Sequence, residues 1–364
     1  MKIPYFDLKR QYGIIKDELE SNVIKTLRST QYSLGPEVEL FEKNFSKFIN
    51  TKYCTGVNTG TSALHLALLG CGVGQGDEVI TVSMTFIATV MAISYTGAKP
   101  IFVDVCKKTQ LINYMEIENK VTSRTKAILV VHLYGQCAEM KEINKIARKH
   151  NLKVIEDSSQ AHGAKHFDIC AGSMGDVGTF SFYPGKNLGA GGEGGAITTN
   201  DKKIFKKVNE LRNWSQPKRY HHNEISYNYR MDGLQASILN IKLKYLTNWT
   251  LDRRKIAEYY KNNLDNKKFT LTEEKPYNFH VYHIFSIFCN NAKKLQKYLN
   301  ENGIGTNFHY PIPAHLQKPY FKLGYHKTDL PVTEKLSKNQ LSIPIYPEMK
   351  LSEVKYVLKI LNNY

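Results

Sequence analysis

Lys186 is the residue of this sequence with the clearest chemical potential, since it lies in the glycine-rich stretch YPGKNLGAGGEGG. Apolar runs at 179–182 and 196–199 flank this stretch, and both have the composition of buried strands. A lysine held between two such strands faces an interior cleft, where desolvation and nearby cations lower the pKa of its amine. An amine that loses its proton near neutral pH can form a Schiff base with an aldehyde.

Pyridoxal phosphate (PLP) is the aldehyde cofactor that uses such a lysine, and its ring nitrogen needs an anion that keeps it protonated. Asp157 is the candidate for that anion, because it ends the β-branched run LKVIED, where parallel strands present ligand-binding side chains. Gln160, three residues later, could reach the ring hydroxyl. Taken alone, Asp157 is also typical of a helix N-cap, and that interpretation stays open here.

The cofactor phosphate needs a cradle, and the turn at 58–62 precedes the helix-forming run LHLAL. A Gly/Thr/Ser turn that opens a helix presents free N–H groups and hydroxyls to an anion. The competing interpretation of the turn is an ordinary helix cap. Phe86 is the aromatic candidate to stack on the cofactor ring, and its competing interpretation is a core position. The candidate phosphate contacts are Gly60, Thr61, Ser62 and Ser181.

These motifs together resemble the DegT/StrS family of PLP-dependent nucleotide-sugar aminotransferases, and the similarity spans essentially the whole chain. The resemblance implies the aspartate-aminotransferase fold (PLP fold type I), with a large PLP-binding domain followed by a small one. The segments that carry it, in the family's order, are GVNTGTSALHLAL, TFIATVMAI, IEDSSQAHGA, SFYPGKNLGAGGEGGAITTND, YNYRMDGLQASIL, HVYHIFSI, GIGTNFHYPIPAHLQKPY and LSIPIYPEM.

The resemblance implies a role for each candidate. Lys186 matches the Schiff-base lysine, and lysine there indicates transamination, because dehydratases of the family carry histidine. Asn228 matches an asparagine that reaches the partner subunit's phosphate, which implies a homodimer with shared active sites. The other matches are Asp157 to the ring-nitrogen partner, Gln160 to the ring-hydroxyl contact, Thr61, Ser62 and Ser181 to the phosphate site, and Phe86 to the stacking aromatic.

The stretches YPGKNLGAGGEGG and HYPIPAHLQ resemble the enzymes that aminate C-3 of a dTDP-3-keto-6-deoxyhexose, with L-glutamate as donor. The product would be a dTDP-3-amino-3,6-dideoxyhexose for a surface glycan such as the O-antigen of lipopolysaccharide. Gly185 stands where many relatives carry threonine, which removes a hydroxyl beside the lysine. Packing is the competing role for several candidate substrate contacts. Those contacts are Tyr183, Arg219, Tyr220, His309, Tyr310 and His315.

Three alternatives stay open at this point. Two keep the chemistry and change the acceptor: C-4 of a 4-keto nucleotide sugar, or C-3 of a UDP-sugar acid. The third is a non-enzymatic regulatory or binding protein that has kept the fold.

Strand patterns alternate with helical ones through the first two-thirds of the chain, which predicts an α/β fold with a mostly parallel sheet flanked by helices. The predicted strands lie at 78–81, 100–103, 127–131 and 153–157, and helices at 85–95 and 140–150 separate them. A long helix from about 239, a strand at 280–288 and helices at 291–302 and 351–361 predict a smaller C-terminal α/β domain. We therefore predict a large domain at 1–240 and a small one at 241–364.

The composition of the 364 residues is globular, with 42% hydrophobic and 23% charged residues. No apolar run approaches the roughly 18 residues of a membrane span, and the start has no apolar signal-peptide core, so we predict a cytoplasmic protein. Six scattered cysteines without a C-x-x-C spacing indicate no metal site. The net charge of +17 comes from dispersed lysines, which argues against nucleic acid as a partner.

Overall fold

The protein is described by a computed structural model that covers residues 1–364. The α-helices are α1 (Leu8–Ser29), α2 (Pro36–Ile49), α3 (Gly60–Gly70), α4 (Ile87–Tyr95), α5 (Tyr114–Ile117), α6 (Met140–Lys149), α7 (Lys202–Arg212), α8 (Gly233–Asn263), α9 (Ala292–Glu301), α10 (Pro331–Asn339) and α11 (Leu351–Asn362). The strands are β1 (Tyr53–Val57), β2 (Glu78–Val82), β3 (Lys99–Val103), β4 (Thr125–Val131), β5 (Lys153–Asp157), β6 (Lys165–His166), β7 (Ile169–Cys170), β8 (Val177–Ser181), β9 (Gly195–Thr199), β10 (Thr270–Leu271), β11 (Asn278–Phe279), β12 (Phe285–Phe288) and β13 (Gln340–Ile343).

The central sheet has the order β1-β9-β8-β5-β4-β2-β3. Neighbours from β8 to β3 are parallel, and β9 is antiparallel to both β8 and β1. Asp157 at the end of β5 is in register with Val131 of β4 and Thr179 of β8. The carboxyl ends of these three strands therefore meet at one edge, where open α/β sheets bind ligands.

The helices pack on both sides of this sheet, and the four predicted strands of the parallel part are confirmed to within two residues at their ends. The predicted strand at 280–288 is confirmed only for its last four residues, β12. Its first part leaves the extended conformation at Tyr282, whose φ is +43°, and the ring of Tyr282 stacks on that of His280 with centroids 4.0 Å apart.

A second core lies under the C-terminal sheet β10-β12-β13, between α8, α9 and α11. It includes Ile3, which is fully buried and whose backbone bonds those of Gly303 and Gly305. The predicted boundary at residue 240 falls inside α8, whose first part packs against α2 and β8 of the large sheet and whose last part packs in the C-terminal core. The division into two domains stays a prediction. None of the helices combines the length and apolar character that crossing a membrane requires.

Candidate active site

A cavity of about 830 Å³ opens at the carboxyl edge of β4, β5 and β8. Its floor comes from the ends of these strands, and the N-terminal ends of α3 and α4 form one side. The opposite side belongs to the C-terminal part of the chain, through residues such as Arg253, His283 and His309. The cavity therefore lies where the two cores of the protein face each other.

Lys186 reaches this cavity from the loop that joins β8 and β9. Its residue is half-buried because the cavity is open, yet protein surrounds the amine, and this desolvation lowers its pKa to about 8. The negative charge of Asp157 favours the protonated amine. It therefore raises the pKa of Lys186 and opposes part of the lowering that burial causes. The expectation that nearby cations contribute was wrong, and burial accounts for the lowering.

Asp157 is buried at the end of β5 and lines the cavity. Its Oδ2 accepts a hydrogen bond of 2.8 Å from the hydroxyl of Thr89, and its Oδ1 accepts one of 3.2 Å from the backbone of Ser159. The residues after it form a turn and not a helix, so the interpretation as a helix cap was wrong. The carboxylate is held in the cavity wall with room for a further donor.

Gln160 and Phe86 also line the cavity. The amide oxygen of Gln160 accepts from the backbone of Tyr134 at 2.6 Å, and its amide nitrogen donates to the hydroxyl of Tyr310 at 2.9 Å. Phe86 is 56% exposed and lies near Tyr310, with ring centroids 5.9 Å apart at an angle of 44°. Because so large an apolar side chain points into an open cavity, its position is that of a ligand wall and not of a core residue.

The start of α3 carries the ordinary helix cap that the competing interpretation predicts, and it also lines the cavity. Thr59 and Ser62 form a capping box, and the Ser62 hydroxyl also donates to Asn58 at 2.6 Å. The structure thus corrects the prediction for Ser62: its side chain is buried in the cap, and the cavity is lined by Thr59, Gly60 and Thr61 instead. The capping box uses the N–H of Ser62, so the N–H groups of Gly60 and Thr61 remain available to an anion at this end of the cavity.

Gly60 lets this helix start approach β8 closely. A Cβ atom at Gly60 would lie 2.5 Å from the Cβ of Ser181, a separation that real side chains do not tolerate. The predicted hydroxyl of Ser181 therefore stands directly beside the first turn of α3, and both line the cavity. A phosphate held there would meet backbone N–H groups, the helix dipole and two hydroxyls together.

Tyr183, His309 and Tyr310 line the cavity as predicted. Burial, with the charge of Lys186, lowers the pKa of His309 to about 4, so its ring is neutral at pH 7. The prediction for His315 was wrong. Its side chain is fully buried outside the cavity, where Nδ1 lies 2.7 Å from the hydroxyl of Ser83.

The remaining predicted contacts lie away from this cavity. The guanidinium of Arg219 stacks over the exposed ring of Tyr220, with 5.1 Å to the ring centroid, and neither residue lines the cavity of its own chain. Asn228 pairs with Asn213 through the backbone in the same surface segment. The contact that Asn228 would make across a dimer stays a prediction.

Sequence reasoning missed Thr89 and His283. Thr89 lies in the first turn of α4 and donates to Asp157, and its hydroxyl is 2.8 Å from that of Thr85, which precedes the helix. His283 lines the cavity, and its Nδ1 lies 3.2 Å from the amide oxygen of Asn187, the residue after Lys186. Burial first, and then the charge of Lys186, lowers the pKa of His283 well below its ordinary value.

The sequence profile of the DegT/DnrJ/EryC1/StrS aminotransferase family matches residues 14–362. The chain belongs to this family. A relative from Aneurinibacillus thermoaerophilus named dTDP-3-amino-3,6-dideoxy-alpha-D-galactopyranose transaminase is 44% identical, over 100% of this chain and 99% of its own. A relative from Geobacillus stearothermophilus named pleiotropic regulatory protein is 42% identical, over 99% and 97%.

Among solved structures, S. venezuelae DesV in complex with a ketimine intermediate superposes with a TM-score of 0.97 at 36% identity, over 100% of this chain and 98% of that one. The family assignment confirms the resemblance that the motifs indicate. It also confirms two predictions that follow from it, the α/β fold and the function of an aminotransferase that uses PLP. The residues of the cavity fit this cofactor: an amine of lowered pKa, a buried carboxylate, an exposed aromatic wall and a helix start that only glycine lets approach Ser181.

Proposed function

We propose that this aminotransferase moves the amino group of L-glutamate to C-3 of a dTDP-3-keto-6-deoxyhexose. The product is a dTDP-3-amino-3,6-dideoxyhexose for the biosynthesis of a surface glycan. The observation that carries the chemistry is the half-buried Lys186, with an amine of lowered pKa in the same cavity as Asp157. The similarity over the whole chain to the transaminase from Aneurinibacillus thermoaerophilus supports the choice of acceptor.

We assign the cofactor contacts from the walls of the cavity. Thr59, Gly60, Thr61 and Ser181 would hold the phosphate, and Phe86 would cover the ring. Asp157 would hold the protonated ring nitrogen, and Gln160 would meet the ring hydroxyl. PLP supplies the aldehyde that carries the amino group between the two substrates and a ring that withdraws electrons.

Lys186 is the proposed acid and base. A lysine with a pKa of about 8 is partly neutral at physiological pH, so Nζ can take up a proton from the substrate carbon and return it in the next step. The carboxylate of Asp157 stays fixed during this exchange, because Thr89 and the backbone of Ser159 hold both its oxygens. Tyr183, His309 and Tyr310 line the remaining wall and are the proposed contacts of the sugar.

We further propose a homodimer that acts in the cytoplasm. The surface segment around Asn228 carries apolar side chains that one chain leaves open, with Trp214 43%, Tyr220 76% and Ile225 96% exposed. A second copy of the chain would cover these side chains. Asn228, Arg219 and Tyr220 of one protomer would then lie near the cavity of the other protomer. All six cysteines are free, which suits a reducing compartment.

An amine-transfer assay with L-glutamate, PLP and a set of keto-sugar nucleotides, followed by mass spectrometry, tests the proposal. Conversion of a dTDP-3-keto-6-deoxyhexose is the expected result. Conversion only of a 4-keto nucleotide sugar or of a UDP-3-keto-sugar acid would keep the chemistry and overturn the acceptor. A protein that binds no PLP would overturn the enzymatic function and favour a regulatory role.

A further inference from the structure

His309 is held on three sides, and only one of its ring nitrogens is left for a ligand. Its backbone N–H donates to Oε1 of Gln340 at 3.0 Å. The ring of Tyr5 stacks on its ring, with centroids 5.8 Å apart at an angle of 29°. Its Nδ1 lies 2.8 Å from the hydroxyl of Ser342, a fully buried residue that does not line the cavity. Nε2 has no hydrogen-bond partner within the chain and is not closed off from the cavity that His309 lines.

The neutral ring of His309 carries one proton, and the nitrogen that holds this proton decides whether Nε2 donates or accepts. The orientation of the Gln340 amide bears on that choice. The backbone N–H of His309 is a donor only, so Gln340 turns its amide oxygen toward it. The amide nitrogen of Gln340 then donates to the hydroxyl oxygen of Ser342 at 2.7 Å.

The direction of the next hydrogen bond follows from this orientation. Gln340 occupies one lone pair of the Ser342 oxygen, and the buried hydroxyl proton needs an acceptor, which Nδ1 of His309 provides. The phenol of Tyr5 also lies beside Ser342, but it carries a proton of its own and can be a second donor to the same oxygen. When Ser342 donates to Nδ1, the single proton of the His309 ring is on Nε2.

We propose that Gln340 and Ser342 are positioning residues that keep His309 in the tautomer with its proton on Nε2, so that its ring donates a hydrogen bond to an oxygen of the substrate. Two substrate groups offer such an oxygen, a hydroxyl or carbonyl of the sugar and the carboxylate of the amino donor. The inference rests on the proposed function, which makes His309 a contact of the substrate.

Nitrogen NMR of the PLP-loaded protein with isotope-labelled histidine measures the tautomer without any substrate. The signals of His309 are assigned by their absence in His309→Gln. The wild type should show a protonated Nε2 and an unprotonated Nδ1. Ser342→Ala should give a mixture of both tautomers, and Ser342→Thr, which keeps the hydroxyl, should restore the wild-type signals. A wild type with the proton on Nδ1 would overturn the inference, whether or not the variants fold.

The two half-reactions, each followed by the absorbance of the cofactor, show which substrate accepts this hydrogen bond. One starts from L-glutamate, and the other runs the sugar reaction backward from a dTDP-3-amino-3,6-dideoxyhexose. Ser342→Ala should lower the rate constant at low substrate concentration by about 2-fold to 10-fold, the effect of one neutral hydrogen bond. A loss with the amino sugar assigns the bond to the sugar, and a loss only with L-glutamate assigns it to the carboxylate of the donor.

Ser286→Ala is the matched control, because this buried serine lies opposite Ser342 in the sheet and its hydroxyl pairs with that of Thr272 at 3.2 Å. It should keep the tautomer of His309 and both rate constants. A double-mutant cycle shows whether Ser342 acts through His309, since Ser342→Ala should then cause no further loss in the His309→Gln background. The same loss in both backgrounds, or no loss with either substrate, would overturn the inference.

The wild-type enzyme separates this inference from the proposed function. If it reacts with L-glutamate and with another amino-sugar nucleotide, the proposed acceptor is wrong, and the rate constants of the variants are measured with that nucleotide. If it reacts with no sugar nucleotide, the proposed function fails, while the tautomer and the reaction with L-glutamate still decide the role of Gln340 and Ser342.

Discussion

The hydroxyl of Thr89 donates a hydrogen bond of 2.8 Å to Oδ2 of Asp157, so that α4 fixes a carboxylate at the end of β5. The hydroxyl of Thr85 lies 2.8 Å behind that of Thr89 and continues the chain of hydrogen bonds. All three residues are buried. A largely buried carboxylate that must hold a charged ring nitrogen depends on such hydrogen-bond donors to keep its position and its charge.

Thr89→Val should slow transamination while the protein stays folded, because the substitution keeps the shape and removes the donor. A hydrogen bond to a charged group contributes about 1.5–3 kcal/mol, so a loss of about 10-fold or more in kcat is expected. Thr89→Ser keeps the hydroxyl and should retain most of the rate. If Thr89→Val and Thr89→Ser were equally active, the hydrogen bond to Asp157 would have no part in the reaction.

Gly60→Ala should weaken the binding of PLP, because the added Cβ atom would lie 2.5 Å from the Cβ of Ser181 and force the start of α3 away from β8. Crowding of this kind costs about 1–3 kcal/mol of stability. Gly70→Ala, at the far end of the same helix, places a Cβ atom 2.9 Å from Val208 and is the matched control. Both variants should unfold at lower temperature, but only Gly60→Ala should raise the Kd for PLP. A similar rise of the Kd for PLP in both variants would show that Gly60 has no specific part in the phosphate site.

Without its cofactor, the protein should be less stable at pH 7 than its Lys186→Met variant. Burial lowers the pKa of the Lys186 amine from 10.5 to about 8, so between these values the unfolded chain holds a proton that the folded chain has lost. The stability of the wild type therefore rises with pH across this window, relative to the variant. Thermal unfolding at several pH values should show an advantage of Lys186→Met that is full below pH 8 and gone near pH 10.5.

The exposed Lys203 provides the comparison for that experiment, since Lys203→Met changes the same side chain at the surface. An advantage of Lys186→Met that did not shrink with rising pH would show that apolar packing, and not the buried amine, causes it.

Glu156→Ala should be the most destabilising change near the site. The carboxylate of this fully buried residue accepts from Nε2 of His132 at 2.9 Å and from the backbone of Gly172, Met174 and Gly175 at 2.6–2.8 Å. Its loss leaves four donors without an acceptor, and two of them, on His132 and Gly172, belong to buried residues, so a cost of about 3–5 kcal/mol in the free energy of unfolding is expected. Glu18→Ala, which breaks a surface pair with Lys244, should cost about 1 kcal/mol or less. Urea denaturation of both variants measures the difference.

The parallel part of the sheet could be predicted because its strands are short apolar runs that alternate with helical patterns. That pattern predicts Asp157 at the carboxyl end of its strand and Lys186 between two strands, and the structure has Lys186 in the loop that joins β8 and β9. The strand at 280–288 was predicted too long, since alternation alone does not reveal the stacking of His280 on Tyr282 or the positive φ of Tyr282. The two-residue strands β6, β7, β10 and β11 are too short to leave a pattern.

The contacts that the sequence did not reveal are those between distant segments. Thr89 and Asp157 are separated by 68 positions, and only packing brings their oxygens together. The same holds for His315, whose partner Ser83 lies 232 positions away and draws the ring out of reach of the cavity. The resemblance made His315 a candidate substrate contact but did not reveal the direction of its side chain.

The burial of Ile3 between Gly303 and Gly305 has a consequence for synthesis on the ribosome. The partners of this residue are translated about 300 positions later, which at roughly 5–20 residues per second is a delay of about 15–60 seconds. Until then, the second core cannot close around Ile3. This residue stays unpacked while the central sheet forms. Folding in the cell therefore joins Ile3 to a segment that is synthesised about 300 residues later.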